Sequence, residues 1–103
     1  MEAGMISLKG LEYWLNQGLA MQLIDLRMPD DYRAAHIAGA VNIPYNQLAE
    51  RIGELKADPP LVFYCARGGT SLRAARMAAD KGLPAFSVMG GITYYRGCHM
   101  IRN

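Results

Sequence analysis

The segment PLVFYC, residues 60–65, constrains the fold of this chain more than any other stretch. It is a near-continuous apolar run, the pattern of a strand whose two faces are both covered, as in a parallel sheet flanked by helices. The run ends on Cys65 and passes at once into Ala66-Arg67-Gly68-Gly69 and then Thr70-Ser71. A helical pattern follows, TSLRAARMAADKG over 70–82, rich in Ala and Arg, with Gly82 at its C-cap.

The rest of the chain alternates in the same way. Met5-Ile6 opens a short strand, and Ser7 caps a helix whose Leu8, Leu11 and Leu15 share a face, closed by Gly18. MQLIDLR (21–27) reads as a strand, and MPDDYRAAH (28–36) as a short helical turn with a Pro-Asp start. AVNIP (40–44) is a brief strand stopped by Pro44. YNQLAERIGEL (45–55) is an amphipathic helix with Leu48, Ile52 and Leu55 on one stripe. AFSVM (85–89) is the last expected strand, before GGITYYRG. Strands and helices alternating through short connections argue for a parallel α/β sheet. Sites in such sheets form outside the carboxyl ends of the strands, which is where Cys65 falls.

Length and composition narrow the classes. With 103 residues the chain is expected to form one domain, 1–103, large enough to bury a core without disulfide or metal staples. The N-terminus lacks a basic n-region and an apolar h-region, so no secretory signal is expected, and no apolar run has the length of a membrane span. Cys65 and Cys98 form neither a disulfide framework nor a zinc-ligand spacing. A cytoplasmic location with no metal or cofactor is therefore the expectation. Residues 1–58 hold eight acids and five Lys/Arg, whereas residues 59–103 hold one acid and six Lys/Arg. The basic half carries Cys65 and suits small anions. Nucleic acid is not expected, since no basic run or aromatic-interleaved basic stripe is present.

The turn after Cys65 explains why a buried strand should end on a thiol. Backbone N–H groups and the positive end of a helix dipole converge there, and Gly68 and Gly69 allow those groups to form an anion-binding nest. Thr70 or Ser71 can serve as the N-cap. Arg67 adds a cation. A thiol so placed has its anion stabilised and becomes a nucleophile. The alternative is a small, inert core cysteine.

Two segments, DLRMPDDYRAAHIAGAVNIP (25–44) and VFYCARGGTSLRAARMAADKGLPAFSVMGG (62–91), together with their spacing, resemble a single-domain rhodanese of the thiosulfate sulfurtransferase type. The resemblance runs from about Leu23 to Gly97. It implies a rhodanese-like α/β fold, with a five-stranded, mainly parallel sheet and helices on both faces. It implies an enzyme in which Cys65 takes a sulfane sulfur from thiosulfate or a similar anionic donor. Cys65 then carries it as a persulfide to cyanide or a thiol acceptor, a thioredoxin-like protein among the candidates. The loop Cys65-Ala66-Arg67-Gly68-Gly69-Thr70, with Ser71 after it, would bind the substrate. Many single-domain members have Arg where this chain has Thr70, and Trp where it has Tyr95.

Asp25 and Arg27 are expected to support the site, by pairing with each other or by bonding the loop. His36 is read as fixing the HIxGA turn, His99 as a surface histidine and Cys98 as incidental rather than a resolving thiol. Arg73 and Arg76 either guide anions or form a solvated face. The rivals are a sulfur relay or a non-catalytic rhodanese-like module acting on a protein partner, and a cysteine phosphatase. The last uses Cys, five residues, then Arg to clamp phosphate, and here that position is Ser71.

Overall fold

The computed structural model describes residues 2–103. In chain order the elements are β1 (Gly4–Ile6), α1 (Leu8–Asn16), β2 (Gln22–Asp25), α2 (Pro29–Ala34), β3 (Ala35–Ile37), β4 (Val41–Asn42), α3 (Tyr45–Arg51) and a 3-10 turn (Ile52–Glu54). There follow β5 (Leu61–Tyr64), α4 (Gly69–Asp80), β6 (Ala85–Val88) and β7 (Met100–Arg102). The expected five-stranded sheet is present, all parallel, in the order β1-β6-β5-β2-β4.

β5 is the central strand, which accounts for its unbroken apolar sequence. Leu23 pairs with Val62 on one side, and Val62 pairs with Phe86 on the other. Side chains alternate between the faces of the sheet. Leu61 and Phe63 pack with Leu48 of α3 and with Ala74, Ala75 and Ala78 of α4. Val62 and Tyr64 pack with Leu11 of α1, Ile37 and Tyr95 on the opposite face. Helices therefore cover both faces. The buried stripe of α4, Ser71, Ala74, Ala75, Ala78 and Ala79, is made of small residues at helical spacing. Arg73 and Arg76 are exposed on the other side of that helix.

The helix boundaries follow from their caps. The Ser7 hydroxyl accepts the Gly10 N–H at 3.0 Å. α4 ends at Lys81 as its C-cap, one residue before Gly82. The N–H groups of Gly82 and Leu83 return to the carbonyls of Ala79 and Ala78, at 2.9 and 3.0 Å. The helical turn expected over 28–36 stops at Ala34. Residues 35–37 instead form β3, paired antiparallel with β7, which lies beyond the last strand expected from sequence. Ala38 N–H to His99 O (2.8 Å) and Asn103 N–H to Ala34 O (3.1 Å) extend that pairing at its two ends. Among the described residues no helix is long and apolar enough to cross a membrane.

Candidate active site

Cys65 is the first residue beyond β5, at its carboxyl end, and the chain turns there into α4. Neither Thr70 nor Ser71 caps that helix. The N-cap is Gly68, whose φ of +100° is open to glycine at little cost, and α4 starts at Gly69. Glycine has no side chain to accept the free N–H groups of the first turn. The Cys65 sulfur does so instead. Its Sγ accepts the N–H of Gly68 at 3.0 Å and of Ser71 at 3.4 Å. Ser71 holds the third helical position, the one whose N–H an N-cap side chain ordinarily takes. The Cys65 sulfur thus stands where an N-cap oxygen would, against the positive end of the helix, a position that favours its anion.

Burial acts to raise the Cys65 pKa, and hydrogen bonding outweighs it. The Ser71 hydroxyl and the N–H groups of Ser71, Gly68 and Arg67 hold the thiol below its ordinary value. Of these the backbone donors are the durable ones. The Ser71 hydroxyl is buried, donates to Gly68 O at 3.0 Å and meets the Ser87 hydroxyl at 2.8 Å. A depressed thiol pKa stabilises the fold fully above the unfolded value of about 8.5, and that contribution is lost as pH falls through the folded pKa. Alkylation of Cys65 by iodoacetamide, followed by peptide mapping across pH, should therefore rise with a midpoint below that of the same cysteine in denaturant. Coincident midpoints would remove the case for a tuned thiolate.

A cleft of about 410 Å³ opens beside the thiol, lined by Cys65, Ala66 and Thr70 of the loop and by Arg27, Asp31 and Tyr45, among others. Gly69 and Arg67 are exposed, and Arg67 is not among the residues that line this cleft. From behind, the segment after β6 pins the loop. Ile92 N–H donates to Cys65 O at 2.9 Å, and Thr93 donates to Ala66 O through its N–H at 3.2 Å and its hydroxyl at 2.7 Å. Sequence reasoning missed Ser87, Ile92 and Thr93. The only available signal was the Gly90-Gly91 pair, which marks the approach of that segment.

Asp25 and Arg27 pair with each other. Arg27 Nη2 donates to Asp25 Oδ2 at 2.7 Å and Nε to Oδ1 at 3.1 Å, while the Arg27 N–H also donates to Oδ1 at 2.9 Å. Among the described residues the pair makes no hydrogen bond to the loop. Arg27 Nη2 reaches Ala35 O at 2.6 Å, which ties β2 to the start of β3. Burial works against the guanidinium charge, and the Asp25 carboxylate more than offsets it. The Tyr64 ring lies 5.7 Å beneath that guanidinium, and burial together with the Asp25 charge keeps its phenol neutral. Asp25 is fully buried, so Asp25→Asn removes the charge facing a largely buried arginine. It should cost about 2 kcal/mol in urea unfolding, the scale of hydrogen bonds to a charged group. No loss would mean that the pair is ornamental.

His36 bonds back to α2 rather than across its turn, with Nδ1 2.8 Å from Tyr32 O and its ring stacked on Tyr32. The side-chain bond into the turn is the one the Tyr32 hydroxyl donates to Ala40 O at 2.6 Å. Cys98 is exposed and His99 half-buried. Both lie against Glu12 of α1, where Cys98 Sγ is 3.8 Å and His99 Nε2 4.0 Å from Glu12 Oε2.

The family model for the rhodanese-like domain matches residues 8–98. The uncharacterized protein YqhL of Bacillus subtilis is 38% identical over 77 residues, covering 74% of this chain and 61% of that protein. The thiosulfate sulfurtransferase GlpE of Shewanella oneidensis is 31% identical over 80 residues, covering 77% of this chain and 79% of that protein. Other curated relatives are much longer, and the chain spans 34% and 14% of two of them. A rhodanese-like domain protein from Staphylococcus aureus superposes with a TM-score of 0.86 over 97% of this chain and 98% of that one. At 19% identity that likeness speaks for the fold alone. The family match over most of the length, with sulfurtransferases among the relatives, fixes the assignment: this chain belongs to the rhodanese-like domain family.

Proposed function

We propose that the protein is a sulfurtransferase that carries a sulfane sulfur on Cys65. The observation that supports this most directly is the Cys65 thiol itself, which receives two backbone N–H bonds at a helix start and faces an open cleft. The thiolate attacks the outer sulfur of thiosulfate, or of a similar anionic donor. An S–S bond forms to Cys65, the donor's S–S bond breaks, and sulfite leaves with the electron pair. The resulting persulfide anion occupies the nest, where the N–H groups that held the thiolate offset its charge. Cyanide or a thiolate then attacks the outer sulfur. The Cys65–S bond breaks and the thiolate is restored, so neither a cofactor nor an external oxidant is needed. Small thiols and a thioredoxin-like protein are the candidate cellular acceptors, and a free thiol of this kind suits a reducing cytoplasm.

Phosphatase chemistry lacks its clamp in this loop. The position an Arg would occupy is Ser71, which is buried and committed to Gly68 O and Ser87. A non-catalytic module would have no use for a tuned thiol. Intact-mass measurement of the reduced protein after exposure to thiosulfate should show one added sulfur, removed again by cyanide as thiocyanate. Failure to gain the sulfur, or ready phosphate release from aryl phosphates, would overturn the proposal.

A further inference from the structure

A second cluster of chemically active side chains lies apart from the cleft residues, where the C-terminal segment crosses α1. Glu12, Cys98 and His99 each offer one ligand atom, and all three atoms lie within 4.8 Å of one another. Glu12 Oε2 is 3.8 Å from Cys98 Sγ and 4.0 Å from His99 Nε2. Tetrahedral bonds to zinc of about 2.0–2.3 Å set ligand atoms about 3.3–3.6 Å apart. The two measured separations exceed that by less than about 1 Å, within reach of side-chain adjustment. We propose that Glu12, Cys98 and His99 form a binding site for a zinc-class divalent cation, clamping the C-terminal segment to α1.

The donor set selects the metal. A thiolate and an imidazole favour zinc and its soft or borderline neighbours over calcium or magnesium, which take oxygen. The surroundings hold the ligands in place. The Tyr95 hydroxyl donates to Glu12 Oε1 at 2.5 Å and accepts the His99 N–H at 3.1 Å, which leaves Glu12 Oε2 as the oxygen turned toward Cys98 and His99. That bond from Tyr95 outweighs the slight burial of Glu12 and keeps it ionised. Burial and the Glu12 carboxylate push the tyrosine up to about 12, so it remains a donor. Asn16 Oδ1 sits 2.7 Å from His99 Nε2. Oδ1 can only accept, so His99 Nε2 carries the proton in that contact. Metal binding requires the proton to move to Nδ1, which frees Nε2 and leaves Asn16 Oδ1 or a water to fill the fourth position. Binding expels the Cys98 thiol proton to solvent. Sequence spacing cannot reveal this site, because its ligands come from opposite ends of the chain.

Cobalt titrated into the phosphine-reduced full chain tests the assignment. Wild type and Cys65→Ser should both develop a near-ultraviolet sulfur-to-cobalt charge-transfer band. Cys98→Ser should lack the band, and Glu12→Gln and His99→Ala should bind at least about tenfold more weakly. Zinc should also slow alkylation of Cys98 in the wild type without slowing that of Cys65, a measurement that needs no variant. The inference is overturned if the band is absent from the wild type, or if it vanishes with Cys65→Ser and survives Cys98→Ser. It is also overturned if Glu12→Gln binds as tightly as wild type, or if zinc leaves Cys98 alkylation unchanged.

Discussion

Cys65→Ser is expected to lose sulfur transfer by at least about 10³-fold, about 4 kcal/mol of barrier, while remaining folded. A hydroxyl is close to a thiol in size and can still accept the Gly68 and Ser71 N–H groups that Sγ accepts at 3.0 and 3.4 Å. The helix start therefore keeps its cap. The chemistry does not survive, because serine is not ionised at neutral pH and has no sulfur with which to form the carrying S–S bond. Thermal unfolding should move by no more than about 5 °C, corresponding to about 1 kcal/mol in a domain of this size. Intact mass after thiosulfate should show no adduct, and peptide mapping of the wild type should place the added sulfur on the peptide that contains Cys65. An adduct that persists in Cys65→Ser, or maps to Cys98, would sink the assignment of this loop.

The sheet was legible because central parallel strands are apolar on both faces, and β5, flanked by β2 and β6, shows that signature without interruption. The capped helices were legible as well, since Ser7, Gly18 and Gly82 act locally. β3 and β7 were not. Each is three residues long, their partners are far apart in sequence (Ala35 with Arg102), and neither has an alternation long enough to register. The start of α4 was misplaced for a subtler reason. Thr70 and Ser71 are good N-cap residues by type, but the cap falls on Gly68 because the Cys65 sulfur already supplies the acceptor. The thiol at the strand end and the N–H groups around it were readable from sequence, whereas the buried bond that holds Ser71, named there as a cap and loop residue, was not. Ser71 looks like a surface residue of a helix start, and only its contact with Ser87 on the neighbouring strand explains why it is buried.

Two adjacent glycines with nearly the same backbone should respond very differently to alanine. Gly90 and Gly91 have φ of +76° and +75°, so Ala at either position pays the left-handed cost of about 1–2 kcal/mol. The space around them differs. A Cβ on Gly90 meets nothing within 4 Å, whereas one on Gly91 would fall 2.2 Å from Ala66 O, 2.4 Å from Ala66 C and 2.4 Å from Arg67 N. Those are backbone atoms of the loop, so no rotamer change relieves the overlap. Either the loop or the segment carrying Ile92 and Thr93 must move, and the bonds from that segment to Cys65 O and Ala66 O are what hold the loop from behind. Gly91→Ala should therefore cost more than about 4 kcal/mol in urea unfolding, in the range that signals steric disruption of a packed site. Any folded fraction should take up sulfur poorly, because the N–H groups of Gly68 and Ser71 would no longer converge on Sγ. Gly90→Ala should lose only the smaller backbone cost and keep its sulfur uptake. Equal losses in the two variants would show that left-handed strain alone governs this turn, and that the close approach of Gly91 to the loop does not shape the nest.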